Sequence, residues 1–102
     1  MDEALLTKDI VENIKRNIDK YGIRVERAIE EEMFTLGGSL EYSLTYDEEL
    51  DTMYVNFKRE LSGTEPLGEG FHIKTGIHTN QITGLVIENY YHRRKDKSRL
   101  VE

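Results

Sequence analysis

The side chains of this sequence that could do chemistry are three histidines, several serines and a short run of carboxylates. His72 and His78 lie six residues apart in one alternating stretch, which places them about 20 Å apart along a strand and too far apart to bind one metal ion. The sequence has no HExxH pair, no glycine-rich phosphate loop and no Gly-x-Ser-x-Gly elbow. We therefore expect no catalytic residues, no metal and no cofactor, and predict that the protein is not an enzyme.

The carboxylates in the stretch YDEELDTMYVNF (46–57) admit two interpretations. Asp47, Glu49 and Asp51 alternate as the oxygen ligands of a calcium loop do, but neither the glycine nor the closing glutamate of such a loop follows. Aspartate side chains also accept hydrogen bonds from backbone N–H groups in turns. The sequence favours a turn between two strands, and weak cation binding is the alternative.

Two helical patterns precede this turn. From residue 7 to 21 the apolar residues fall at helical spacing, with Thr7 as the predicted N-cap and Gly22 as a left-handed stop. The same spacing predicts a second helix over 24–36, although no good capping residue precedes it. We expect the two helices to form a hairpin or an elbow around Gly22.

After Gly38 the apolar period becomes two, which is typical of half-buried strands. Strands are predicted at 40–46, 53–57, 71–77 and 82–90. The long link SGTEPLGEG, which contains Pro66, is predicted to be a loop. The fold class is therefore predicted to be α+β, with the N-terminal helical pair packed on a four-stranded antiparallel β-meander.

The chain has 102 residues, a length typical of one domain. We predict a single α+β domain over residues 1–92, with 1–38 helical and 39–92 forming the sheet, followed by a basic C-terminal tail over 93–102. The sequence has no cysteine, which excludes disulfides and suits the cytoplasm. It also has no apolar run of membrane-spanning length and no signal-peptide pattern, so we expect no membrane partner.

Charge is distributed unevenly along the chain. Residues 1–92 carry 18 acidic and 9 basic residues, whereas 93–102 carry 2 acidic and 5 basic residues. Such a body repels nucleic acid and attracts basic proteins. The tail, which begins with Arg93, Arg94 and Lys95, is either a solvated C-terminus or an electrostatic contact, and it has no aromatic residue to stack on bases.

Two groups of residues are candidates for binding a partner protein. Glu30, Glu31 and Glu32 give the second predicted helix an acidic surface. A second group points away from the apolar side of the predicted strands and includes a tyrosine, which is common both in half-buried strands and in protein interfaces. Its members are Tyr54, Asn56, His72 and Lys74. This face is predicted to bind a partner or to form a homodimer.

The sheet region also resembles a family of small prokaryotic domains of unknown function. The shared pattern covers about residues 42–91 and consists of Tyr46-Asp47 with Asp51, Met53-Tyr54-Val55, Gly70, and Ile82-Thr83-Gly84-Leu85-Val86-Ile87-Glu88. The sequence departs from that pattern at 78–81, where His-Thr-Asn-Gln replaces Asp-x-x-Gly. The resemblance implies no activity and no catalytic residues, and some family members look like the smaller partner of toxin–antitoxin pairs.

Together these observations predict a small acidic protein that acts by binding another protein. The expected partner is basic, so the protein would be an inhibitor or an antitoxin-like regulator of a nucleic-acid-binding protein from a prokaryote or phage. A small-molecule-binding domain with a pocket between helices and sheet is the alternative. A metal-dependent enzyme is the third reading.

Overall fold

A computed structural model describes residues 6–93 and confirms the α+β class. These residues form two compact units, which we call the helical unit (6–40 with 91–93) and the sheet unit (Glu41–Tyr90). The elements in chain order are α1 (Lys8–Tyr21), α2 (Val25–Leu36), β1 (Ser43–Asp47), β2 (Thr52–Asn56), β3 (Ser62–Gly68), β4 (Phe71–Gly76) and β5 (Ile82–Glu88). Covering of one sheet face by the helical pair stays a prediction, as does the single domain.

Helix α1 begins and ends where the sequence predicts. The Thr7 hydroxyl accepts a hydrogen bond from the N–H of Ile10 at 3.3 Å, which satisfies one of the free N–H groups of the first turn. Gly22 closes the helix in the left-handed conformation, at φ 63°, and its N–H donates to the carbonyl of Ile18. The apolar stripe of the helix is buried at Val11, Ile14 and Ile18.

Helix α2 also matches its prediction, including the missing cap. Arg24 is extended and makes no side-chain capping bond, so the helix begins at Val25. It ends at Gly37, which is left-handed at φ 70°. The two helices contact each other, and the buried residues of α2 are Val25, Ala28, Ile29 and Met33.

The sheet has five strands in the order β1-β2-β5-β4-β3, with every neighbouring pair antiparallel. The prediction of four strands is wrong because residues 62–68, which were predicted to be a loop, form β3. Gly63, Pro66 and Gly68 make this segment look like a turn, but β3 lies at an edge of the sheet, where proline is tolerated. A register shift between Pro66 and Gly68 leads into its turn.

The predicted meander is also wrong. Strand β5 returns to pair with β2, so β4 does not follow β2 across the sheet. Strands β3, β4 and β5 are joined by hairpins and β2 lies beside β5, which is a Greek-key order. The connection 57–61 therefore carries the chain from β2 past the ends of β5 and β4 to the far edge. Alternation within a strand does not specify which strand becomes its neighbour.

One face of the sheet is buried and apolar. Its buried side chains include Val55, Phe71, Ile73, Leu85 and Ile87, each at most 3% exposed, and burial of each such side chain stabilises the fold by about 1.5–3 kcal/mol. Strand β4 ends at Gly76, so Ile77, which was predicted to continue the apolar row, is 60% exposed. Within residues 6–93, no helix is long and apolar enough to cross a bilayer.

Candidate functional site

The polar face of the sheet brings together four residues that the sequence marked as partner-binding. Tyr54 and Asn56 lie on β2, and His72 and Lys74 lie on β4. Strand β5 separates the two pairs, and its register aligns Asn56, Gly84 and Lys74 in one row across the sheet. All four predicted residues are half-buried. They form one continuous face because strand side chains alternate between the two sides of a sheet.

The residue at the centre of this row, Gly84, has no side chain and is buried. A Cβ atom there would lie 2.6 Å from the carbonyl oxygen of Val55 and 3.3 Å from Cδ of Lys74. The aliphatic stem of Lys74 therefore lies over Gly84 and reaches from β4 across β5 toward β2. This reach explains how Lys74 shares a cavity with residues of β1 and β2.

The connection 57–61 is anchored at the start of β5. The N–H groups of Phe57 and Lys58 both donate to the carbonyl of Thr83, at 2.8 and 3.2 Å. The Lys58 ammonium donates to the amide oxygen of Gln81 at 2.5 Å. At the start of β3, the hydroxyls of Ser62 and Thr83 share a hydrogen bond of 2.6 Å. These bonds hold the connection close to the start of β5.

Glu60 is held in the same region by the turn between β4 and β5. Its carboxylate accepts hydrogen bonds from the N–H and the hydroxyl of Thr79, at distances of 2.9–3.2 Å. A Cβ atom on Gly76 would overlap this carboxylate, so the glycine provides the space that Glu60 occupies. The Glu60 carboxylate is therefore part of the structural framework of this end of the sheet.

Between the connection and the polar sheet face lies an open cavity of about 690 Å³, which we call the groove. It is lined by Glu41, Tyr42, Ser43, Thr45, Asn56, Phe57, Lys58, Arg59, Glu60 and Lys74. The rings of Tyr42 and Phe57 pack edge to face, with centroids 6.4 Å apart. Hydroxyl, amide, carboxylate and cationic groups therefore face one space beside an aromatic pair.

The charges of the sheet unit are separated between its two ends. The unit contains nine acidic residues but only three basic ones. All three basic residues, Lys58, Arg59 and Lys74, line the groove. In the described part of the helical unit, by contrast, seven acidic and seven basic residues balance.

The opposite end of the sheet carries only acidic charged side chains apart from His72, and we call it the acidic end. Three segments meet there: the β1–β2 turn, the turn between β3 and β4, and the last residue of β5. Asp47 pairs with Thr52 and Thr52 with Glu88 across the strands, and the N–H of Glu88 donates to the carbonyl of Gly70. Its carboxylates are those of Asp47, Glu48, Glu49, Asp51, Glu69 and Glu88. His72 contacts Glu88 at 2.5 Å.

Two aspartates of the β1–β2 turn make hydrogen bonds within it, and that of Asp47 is the backbone N–H bond that the turn interpretation predicts. The Asp47 carboxylate accepts from the N–H of Leu50 at 3.2 Å, and the Asp51 carboxylate accepts from the hydroxyl of Tyr46 at 2.6 Å. Glu48 and Glu49 have no hydrogen-bond or ion-pair partner within residues 6–93. Leu50, which lies between Glu49 and Asp51 in the sequence, is 65% exposed. The turn therefore presents an apolar side chain flanked by carboxylates.

The outer side of α2 has a similar composition. Glu30 and Glu31 are exposed, whereas Glu32 is half-buried. Phe34 follows them by four and three residues, so all three exposed side chains share one helical face, and the phenyl ring is 90% exposed. The sequence prediction missed Phe34, although an aromatic residue that falls outside the buried stripe of its helix was the available signal.

The structure describes one of the three basic residues at the start of the predicted tail. Arg93 lies in a helical turn and donates to the carboxylate of Asp19 at 2.8 Å, with its side chain only 14% exposed. The first residue of the predicted tail is thus bound within the helical unit. Arg94 and Lys95 lie outside the described residues.

Sequence reasoning also missed most of the groove. Glu41, Lys58, Arg59 and Glu60 come from segments before β1 and after β2, and they meet Lys74 only because of the Greek-key order. His78 lies in the turn after β4 and does not extend the row of His72. Among the residues the structure describes, no group of three or more His, Asp or Glu side chains could hold a metal ion.

Comparison with known proteins gives no identification. No family model, no curated protein and no solved structure matches the chain. The resemblance to the small prokaryotic domains stays a prediction.

Proposed function

We propose that the protein is a non-enzymatic binding protein that recognises a basic protein, as an inhibitor or antitoxin-like regulator of a nucleic-acid-binding protein would. The observation that carries this proposal is the separation of charge in the sheet unit. Six carboxylates gather at the acidic end without a lysine or arginine among them. A surface of one sign attracts an oppositely charged protein and accelerates its association.

The acidic end also supplies an apolar contact. Leu50 is 65% exposed and stands beside Glu48 and Glu49, whose carboxylates have no partner within the described residues. A single exposed leucine is common on protein surfaces, and here its position among carboxylates allows it to add an apolar contact to an electrostatic one. The leucine would contribute affinity by burial, while the two glutamates would contribute association rate and selectivity for a basic partner.

Helix α2 offers a second surface for the same kind of partner. Phe34 is 90% exposed beside Glu30 and Glu31. Large aromatic side chains that become buried on binding dominate the energy of many interfaces. Arg27 contacts Glu31 at 3.3 Å, so this face carries less net negative charge than the acidic end.

The test is retention of a partner from native lysate by the tagged protein, followed by elution with salt. We expect a basic protein that elutes at moderate salt, because screening weakens long-range attraction. The Glu49→Lys variant should retain at least about tenfold less of it, and Leu50→Ser should lose it at every salt concentration. Glu12→Lys, the same charge change on an exposed face of α1, is the matched control.

The variants also separate the two surfaces. Loss of the partner from Phe34→Ser but not from Leu50→Ser would assign binding to α2. Equal retention by Glu49→Lys, Phe34→Ser and the unaltered protein, or a retained protein that is acidic, would refute the proposal. Circular dichroism of each variant checks that the loss is not caused by unfolding.

The other predictions have different support. The groove supports a small-molecule function, although it is lined by the sheet unit and is not the predicted pocket between helices and sheet. No observation on residues 6–93 favours a metal-dependent enzyme. The homodimer is supported by the position of β1 at an edge of the sheet, where its five residues contain no proline or lysine to discourage pairing. Light scattering would measure the dimer mass directly.

A further inference from the structure

We propose that the groove binds a small anionic molecule that carries a phosphate or carboxylate group on a hydroxyl-bearing body. The first observation is the position of the cations. All three basic residues of a sheet unit with nine acidic ones line this single cavity. Like charges that share a cavity repel one another, and a bound anion would relieve that repulsion.

Two of the three cations are available to a ligand. Within residues 6–93, neither Arg59 nor Lys74 makes a hydrogen bond or an ion pair, whereas Lys58 donates to Gln81 at 2.5 Å. The guanidinium group of arginine can bind two oxygens of a phosphate or carboxylate at once, and a lysine ammonium adds a point charge. Arg59 and Lys74 are therefore the residues assigned to the anionic group.

The two carboxylates of the groove lower the formal charge of its lining from +3 to +1, but within the described residues neither pairs with Arg59 or Lys74. Glu60 keeps its negative charge, but its carboxylate accepts hydrogen bonds from the N–H and the hydroxyl of Thr79 and is therefore held by the turn between β4 and β5. Glu41 is exposed and has no partner within the described residues. Because a carboxylate accepts hydrogen bonds, Glu41 can bind a hydroxyl group of the ligand.

The remaining lining selects the body of the ligand. Ser43, Thr45 and Asn56 supply hydroxyl and amide groups that both donate and accept hydrogen bonds. The paired rings of Tyr42 and Phe57 provide an apolar surface for carbon atoms. A volume of about 690 Å³ lies within the usual range for small-molecule sites. The acidic remainder of the unit repels long polyanions, which favours a small anion over nucleic acid.

The proposal can be tested by NMR titration of the ¹⁵N-labelled protein at constant ionic strength. The probes are ribose 5-phosphate, gluconate, inorganic phosphate and uncharged ribose, with sodium chloride as the salt control. We expect saturable chemical-shift changes confined to residues 41–45, 56–60 and 72–76. Uncharged ribose should bind much more weakly than ribose 5-phosphate. The phosphate and carboxylate probes distinguish the two possible anionic groups.

Variants then identify the residues that bind. Arg59→Gln should raise the Kd of the probe that binds best at least about tenfold. Lys74→Met should have the same effect while keeping an aliphatic stem over Gly84. Arg24→Gln removes an exposed cation of the helical unit that has no partner in the described part of the chain, and it should have no effect.

Three results would overturn the proposal. These are shifts that match those caused by chloride, equal weakening by Arg24→Gln, or shifts of the groove that depend on protein concentration and not on the probe. The last result would mean that the acidic end of a second copy occupies the groove. Glu49→Lys does not alter the groove, so failure of the small-anion site and failure of basic-partner binding are measured separately.

Discussion

The two ends of the sheet unit differ both in charge and in the way they are built. In the β1–β2 turn of the acidic end, the side-chain hydrogen bonds join residues close in sequence, since Asp47 and Leu50 are three residues apart and Tyr46 and Asp51 are five apart. At the groove end the bonded residues are distant, for example Lys58 with Gln81, 23 residues apart. The acidic turn is therefore a local structure, while the groove depends on the whole strand order.

This difference determines which parts of the fold each end depends on. The side-chain hydrogen bonds of the turn at the acidic end need only its hairpin, and Glu48 and Glu49, which have no partner within residues 6–93, contribute charge without holding the fold together. The groove needs the connection 57–61 to stay against the start of β5, and it needs Gly76 and Gly84 to leave space for the side chains of Glu60 and Lys74. Substitutions at the groove end should therefore cost more stability than substitutions in the turn.

The largest effect is expected for Gly84→Ala. The new methyl group would lie 2.6 Å from the backbone carbonyl oxygen of Val55, and because a backbone atom cannot swing aside, β2 and β5 must separate. We expect the free energy of unfolding to fall by about 2–3 kcal/mol in urea denaturation. Gly63→Ala is the control, because no atom lies within 4 Å of its Cβ position. Equal losses for the two variants would contradict the comparison.

A smaller loss is expected for Gly76→Ala, because the atoms in the way belong to side chains. The methyl group would displace the Glu60 carboxylate and lie 2.8 Å from the hydroxyl of Thr79, so the bonds between Glu60 and Thr79 would be lost at a cost of about 1–2 kcal/mol. In a Glu60→Ala background the same substitution should cost less than half as much. Additive losses in this double-mutant cycle would show that the two residues do not interact.

The smallest effect is expected at the acidic end, for Tyr46→Phe. This change removes the hydroxyl that donates to Asp51 at 2.6 Å, and it should lower the free energy of unfolding by about 1 kcal/mol. Tyr54→Phe is the matched control, since the Tyr54 hydroxyl has no hydrogen-bond partner within residues 6–93. A loss for Tyr46→Phe that exceeds the loss for Gly84→Ala would reverse the ranking of the two ends.

Part of the candidate site could be predicted from the sequence. The alternation in β2 and β4 placed Tyr54, Asn56, His72 and Lys74 on one face, because the side-chain period of a strand is two wherever the strand lies. That reasoning failed beyond the strand end, where Ile77 and His78 lie in a turn. It also could not identify Arg59 as a groove residue, since a residue in a connection follows no strand periodicity that would indicate which cavity its side chain lines.

The sequence by itself determined the structures that depend on neighbours along the chain. Thr7 and Gly22 specify the ends of α1 through a capping bond and a left-handed residue, and Asp47 specifies a turn through a bond three residues away. Tertiary structure alone decided that β3 is a strand, because Pro66 has no N–H to donate to a neighbouring strand and is tolerated here at a sheet edge. It also decided the pairing of β5 with β2 and hence the groove, since the energy of strand pairing comes from residues far apart in the chain.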